Sequence, residues 1–186
     1  MGRSGTLFAY QQENIEPDIV ALAKGLGGGF PVGAVMAKAK VGDAMIPGTH
    51  GSTFGGNPLA MRSANAVLDL LLEDDFLKSL RENIIYFENK MDALVNDNER
   101  ASPVILCKKG SGMLRGFQLI ENIAAGDFGN ISREKGLLLV GAAENTIRLL
   151  PPLNTSKEEI DQAFEILSEV VKELKKTKIL CLILLI

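Results

Sequence analysis

The stretch ALAKGLGGGFPVGA, Ala21 to Ala34, sets a single lysine in an apolar run directly before a glycine cluster and a proline. Ala21, Leu22 and Ala23 predict a buried approach to Lys24. Burial penalises an ammonium and lowers its pKa, by as much as ~3–5 units in the fullest cases, and the neutral amine so produced can attack a carbonyl. Gly25, Gly27, Gly28 and Gly29 permit positive φ and let the backbone pass close to a bulky ligand with no Cβ in the way. A surface turn whose lysine reaches out to water has the same spacing, so both readings stay open on these residues alone.

Two further stretches carry chemistry. In THGSTFGGNPLA, Ser52 and Thr53 offer hydroxyls and backbone N–H groups in a loop flanked by Gly51, Gly55 and Gly56, a setting suited to an oxyanion. The same loop reads equally as a flexible turn before a helix capped by Asn57 and started by Pro58. In TIRLL, Arg148 stands between Ile147 and Leu149. An arginine in an apolar strand calls for a partner, and a carboxylate matches its fork in two parallel hydrogen bonds. Alternation offers another account, with Thr146, Arg148 and Leu150 as the wet face of an edge strand.

Three blocks, in order, resemble the class III pyridoxal-phosphate-dependent aminotransferases, most closely the acetylornithine branch. They are GRSGTLFAY with EPDIVALAKGLGGGFPVGAV between Gly2 and Val35, THGSTFGGNPLA from Thr49 to Ala60, and IRLLPPL from Ile147 to Leu153 followed by a helix. The resemblance implies an α/β fold: the C-terminal part of a fold-type I transferase, with an incomplete large-domain remnant followed by a small α+β domain. It implies pyridoxal 5'-phosphate as cofactor. By the same resemblance Lys24 is the catalytic lysine that bonds the cofactor and shuttles the proton. Thr53 bonds the cofactor phosphate of the neighbouring subunit, Ser52 lies beside the substrate, and Arg148 receives a substrate carboxylate. The implied reaction moves an amino group from N-acetylornithine, or from ornithine, succinylornithine or 4-aminobutyrate, to 2-oxoglutarate, within arginine biosynthesis and in a homodimer. The resemblance covers about the C-terminal half of a family member. The acidic residue that pairs with the pyridine nitrogen, the ring-stacking residues, a phosphate-binding turn and a second substrate arginine have no counterpart here. Catalysis is therefore expected only if another chain supplies that half, or if the present start is a wrongly assigned one. The other reading is an inactive fragment, or an interaction module that docks on an intact homologue.

Other classes lack support. No GxxxxGK[ST] loop occurs, and no G-x-G-x-x-G can be completed from Gly25, Gly27 or Gly110. His50 is the only histidine, and Cys107 and Cys181 are far apart, so no metal cluster has spacing behind it. Matches to acylation and glycan patterns at Gly2, Asn130 and Asn154 are short enough to arise by chance. A net charge of −3 shows no basic excess, which argues against nucleic acid or an anionic membrane as partner. Two scattered cysteines and no signal-peptide core predict a reducing, cytoplasmic setting.

The 186 residues, 46% of them hydrophobic, suffice for one large or two small domains. Strand-like pieces are predicted at Leu7 to Ala9 and Val32 to Ala37, and helices from Pro58 to Leu72 and from Phe76 through Leu94. The interruption Glu73-Asp74-Asp75 predicts a boundary between a large-domain remnant, 1–74, and an α+β domain, 75–178. VILCK and MLRGFQLI read as a hairpin turning at Gly110-Ser111-Gly112, followed by a short polar segment and two strands, GLLLV and TIRLL. Ser156 and Glu159 form a capping box for a last helix, whose Ile160, Ala163, Phe164, Leu167, Val171 and Leu174 make one apolar stripe. The tail 179–186 is apolar and far short of the ~20 residues that cross a bilayer, and reads as a buried strand or a sticky end.

Overall fold

The computed structural model describes residues 1–99 and 103–183, which divide into two compact units, Met1–Ser79 and Leu80–Ile186. In the first, β1 (Ile19–Leu22) pairs antiparallel with β2 (Ala34–Ala37), Leu22 opposite Ala34. The apolar approach to Lys24 is thus the end of a strand. A 3-10 turn, Lys24–Gly27, follows β1 and stops at Gly28, whose φ of 57° is left-handed. After the short α1 (Ala39–Gly42) comes α2 (Pro58–Leu71). Asn57 Oδ1 accepts from the Leu59 and Ala60 amides at 3.0 and 3.2 Å, and Pro58 opens the helix, as expected for a cap followed by a residue with φ preset. Ser63 Oγ on α2 donates 2.7 Å to the Gly27 carbonyl, fastening the helix to the 3-10 turn.

The predicted strand at Leu7 to Ala9 is absent. Leu7 and Phe8 lie in a bend, and Ala9 starts a 3-10 turn, Ala9–Gln12. Polar side chains claim the backbone there: Thr6 Oγ1 donates to the Phe8 carbonyl at 2.8 Å, and Gln11 Oε1 accepts from the Phe8 amide at 2.9 Å. Such local bonds offer the chain an alternative to a strand ladder.

α3 (Phe76–Glu99) leads into the second unit, and Glu73 to Asp75 separate it from α2. There β3 (Ile105–Ser111) and β4 (Leu114–Leu119) form the anticipated hairpin. Gly110, at φ 88°, can be nothing else, since a Cβ would fall 2.1 Å from the Leu114 carbonyl oxygen. The sheet is completed by β5 (Val140–Ala142) and β6 (Thr146–Leu149) in the order β3-β4-β6-β5, antiparallel throughout. Two expectations change here. Of GLLLV only Val140 is in a strand. The supposed polar segment holds a helix, α4 (Ala125–Glu134), which buries Phe128, Gly129 and Ser132. Its apolar stripe is too thin to show as periodicity, and its first amide is bonded from afar: Ala125 N–H donates 2.9 Å to Asn145 Oδ1.

The core of this unit gathers Met91, Met113, Phe117, Phe128 and Ile147, each fully buried, under the last helix, α5 (Lys157–Ile183). The capping box forms in both directions, Ser156 N–H to Glu159 Oε2 at 2.8 Å and Glu159 N–H to Ser156 Oγ at 3.2 Å. Ile160, Phe164, Leu167 and Val171 are buried along the predicted stripe, and Phe164 meets Phe87 edge to face at 5.5 Å. Ala163 and Leu174 on that stripe are half-buried. Helical backbone continues to Ile183, so the strand reading of the tail fails for 179–183. Residues 184–186 lie outside the described residues. Among the described residues no helix is long and apolar enough to cross a membrane.

Candidate active site

Lys24 follows β1 directly and has a φ of 55°, a left-handed conformation seen in only a few per cent of residues other than glycine. Its side chain is exposed, and among the described residues it has no hydrogen bond or ion pair. Of the two readings left open by the residues, buried amine or surface turn, this structure shows the exposed one. Ala21 and Ala23 are themselves exposed, and every residue of β2 is exposed as well, so the two-stranded sheet gives the lysine no apolar wall. What is buried in the turn is Leu26, at 4% exposure.

The glycines around it divide into two groups. A Cβ on Gly27 would come 2.7 Å from Val32 Cγ1, and one on Gly28 would come 2.9 Å from Val67 Cγ2 on α2. These two are required by packing. Gly25 and Gly29 have nothing within 4 Å of a Cβ and border open space beside Lys24. Only they fit the role of leaving room for a ligand.

Ser52 and Thr53 lie exposed in the loop between α1 and α2. Gly55 fits closely under Ser52, since a Cβ there would be 3.0 Å from Ser52 Cβ. The helix that begins five residues after Thr53 is the one tied to the turn of Lys24 by Ser63, so a single rigid element links both segments. Lys24, Ser52 and Thr53 therefore belong to the first unit, and Arg148 to the second.

Arg148 is on β6, an inner strand with β4 on one side and β5 on the other. The edge-strand account of this residue is thus corrected, and Thr146, its supposed wet-face companion, is only 7% exposed. Arg148 itself is exposed, and its guanidinium has no carboxylate partner among the described residues. The residue that sequence reasoning missed is Asn145, at φ 49° next to Glu144 at φ 56°. Asn is several-fold enriched at positive φ among residues other than glycine, so an Asn between two strand-forming runs is a signal for a turn. Beside it, Lys109 pairs with Glu144 and holds that carboxyl below its usual range by hydrogen bonding first and charge second.

These features find their match among known proteins. The family model for class III aminotransferases matches residues 1–171. Acetylornithine aminotransferase of Streptococcus mutans is 43% identical over 173 residues, covering 93% of this chain and 44% of that protein. The solved acetylornithine aminotransferase of Elizabethkingia anophelis superposes with a TM-score of 0.83 at 32% identity, over 92% of this chain and 43% of that one. An ornithine aminotransferase structure from Toxoplasma gondii, described with partial occupancy of PLP at its active site, gives 0.84 at 32% identity, over 94% and 42%. The chain belongs to the class III aminotransferases, a family of pyridoxal-phosphate-dependent transferases. It spans under half the length of the relatives it matches.

The donor set in the first unit suits pyridoxal phosphate. Lys24 is a primary amine with no competing partner among the described residues, and Gly25 and Gly29 leave open space beside it, while Ser52 and Thr53 are exposed hydroxyls in a separate glycine-flanked loop.

Proposed function

We propose that this chain carries the C-terminal part of an acetylornithine-type aminotransferase. In that reading it takes part in moving an amino group from N-acetylornithine, or a similar ω-amine, to 2-oxoglutarate in arginine biosynthesis, in the cytoplasm. The observation that carries the reading is the 43% identity extending over 93% of the chain, with Lys24 and Arg148 both inside the matched span.

Pyridoxal phosphate, when bound, supplies the electron sink that amino-group transfer needs. Lys24 Nζ would be the atom that holds the cofactor, and as a free amine it would be the base that takes the proton from the substrate carbon bearing the amino group. Thr53 Oγ1 donates to the cofactor phosphate of a second subunit, which makes the working form a homodimer. Ser52 lies beside the substrate. Arg148 presents its fork to the carboxylate of the 2-oxo acid. The groups that hold the ring, keep its nitrogen protonated and clamp the second carboxylate are assigned to the part of the relatives that these residues do not span.

The lone chain is therefore expected to show no turnover. Losing one preorganised electrostatic partner typically costs ~10²–10³ in rate, and several are lost together. The purified chain is assayed with N-acetylornithine, 2-oxoglutarate and pyridoxal phosphate, alone and with a separately expressed N-terminal half of a relative. Turnover with that half, abolished by Lys24→Ala, supports the enzyme. No turnover in either mixture favours the second reading, a fragment that associates without catalysing, to which Ile19 at 56% and Val35 at 69% exposure offer an apolar strand surface.

A further inference from the structure

Whether Arg148 can meet an anion depends on which face of β6 it occupies. Side chains alternate along a strand, so a slip of one residue would turn Arg148 into the core. Its neighbours Ile147 and Leu149 fill that core at 0% and 5% exposure. β6 is only four residues long, so its own ladder gives limited hold.

The hold comes from Asn145, the residue before β6. Its carboxamide Nδ2 donates to the carbonyls of Ile123 at 2.8 Å and Ile120 at 3.0 Å, with Leu119 O further off at 3.5 Å. Its Oδ1 accepts from the Ala125 amide, and its backbone carbonyl accepts from the Leu119 amide at 2.9 Å. One side chain thus joins the end of β4, the loop after it, the first turn of α4 and the start of β6. Glu144 secures the other side of the same turn through Lys109 on β3.

We propose that Asn145 is a positioning residue for the substrate carboxylate: it sets the register of β6 and thereby holds the Arg148 guanidinium on the open face. The proposal rests on the carboxylate-binding reading of Arg148. Without the carboxamide, β6 keeps only its short ladders to β4 and β5 and the single backbone bond from Leu119 to hold its register.

The test uses the full chain labelled with ¹⁵N-arginine and titrated with 2-oxoglutarate, following the Arg148 Nε–H resonance, assigned by its loss in Arg148→Lys. Amide hydrogen exchange at Ile147 and Arg148 is measured in parallel. Asn145→Gly keeps the left-handed backbone and removes the carboxamide. Asn145→Asp keeps the acceptor and removes both donors, and serves if the glycine variant does not fold. Ser132→Ala is the stability control, because buried Ser132 Oγ donates to the Phe128 carbonyl at 2.8 Å within α4, a bond that involves no atom of β6. The expected result is about a tenfold loss of 2-oxoglutarate affinity and faster β6 exchange in the Asn145 variants, with affinity retained in Ser132→Ala despite a lower melting temperature. Wild-type affinity and exchange in both Asn145 variants would overturn the proposal. So would an equal affinity loss in Ser132→Ala, since general loosening would then account for it. If the Arg148 resonance ignores 2-oxoglutarate in the wild-type chain while Asn145→Gly still speeds β6 exchange, the register role stands and the carboxylate reading of Arg148 fails.

Discussion

Gly116 is the cross-strand partner of Arg148 on β4. Directly opposite on β4, Arg148 therefore faces no side chain, and on the other side its partner is Val140. The close fit is what demands glycine: a Cβ on Gly116 would lie 2.6 Å from Thr146 Cγ2 and 3.0 Å from the Ile147 carbonyl oxygen.

Gly116→Ala should consequently push on both residues that precede Arg148. Overpacking of this kind typically costs about 1–3 kcal/mol, to be read from the urea midpoint of the second unit's unfolding. An unchanged midpoint would mean that β6 moves aside freely, against the tight register described above.

Arg148→Lys should weaken the 2-oxo acid far more than the amino donor. Lysine keeps the charge and loses the planar fork, so a bidentate contact becomes a single one. In the complemented enzyme the Michaelis constant for 2-oxoglutarate should rise about tenfold while that for N-acetylornithine holds, a difference of about 1.4 kcal/mol. Unchanged constants for both substrates would mark Arg148 as a surface residue.

Lys24 should be the one lysine captured when the chain, with its N-terminal half supplied, is incubated with pyridoxal phosphate, reduced with borohydride and mapped by peptide. Its exposure in this chain makes the supplied half essential to the prediction, because selectivity over other surface lysines must come from the walls that the two-stranded sheet does not provide. Label distributed evenly over lysines in the mixture would remove Lys24 from the mechanism.

Acid stability should depend on Asp161. Its Oδ1 accepts from Lys90 Nζ at 2.6 Å and from Tyr86 Oη at 2.7 Å, joining α5 to α3. Lys90 chiefly, with Tyr86 second, holds this carboxyl below its ordinary range. A depressed carboxyl stabilises the fold above its unfolded value, about 3.9, and that contribution disappears as pH falls through the folded value. Urea midpoints measured from neutral pH down into the acid range should fall less steeply in Asp161→Asn than in the wild type, and parallel curves would refute the linkage.

The helices and the hairpin were legible because their signals are local. Asn57 and Pro58 announce α2, Ser156 and Glu159 announce α5, and Gly110 with Gly112 announces the turn between β3 and β4; each acts on atoms within a few residues of itself. The strand expected at Leu7 to Ala9 failed for the same reason in reverse, since Thr6 and Gln11 bind the backbone before a ladder can. α4 was hidden because its first amide is bonded by a side chain from far along the sequence.

The sequence by itself determined the family, the starts of α2 and α5 and the β3–β4 turn, and it nominated Lys24, Ser52, Thr53 and Arg148 for the candidate site. Those are matters of residue type and spacing. Only the tertiary structure decided that Lys24 stands exposed, that Gly27 and Gly28 serve packing while Gly25 and Gly29 leave space, and that Arg148 occupies an inner strand held by Asn145. Each of these depends on what another segment places within a few ångströms, and burial, clearance and register have no value until the chain has folded.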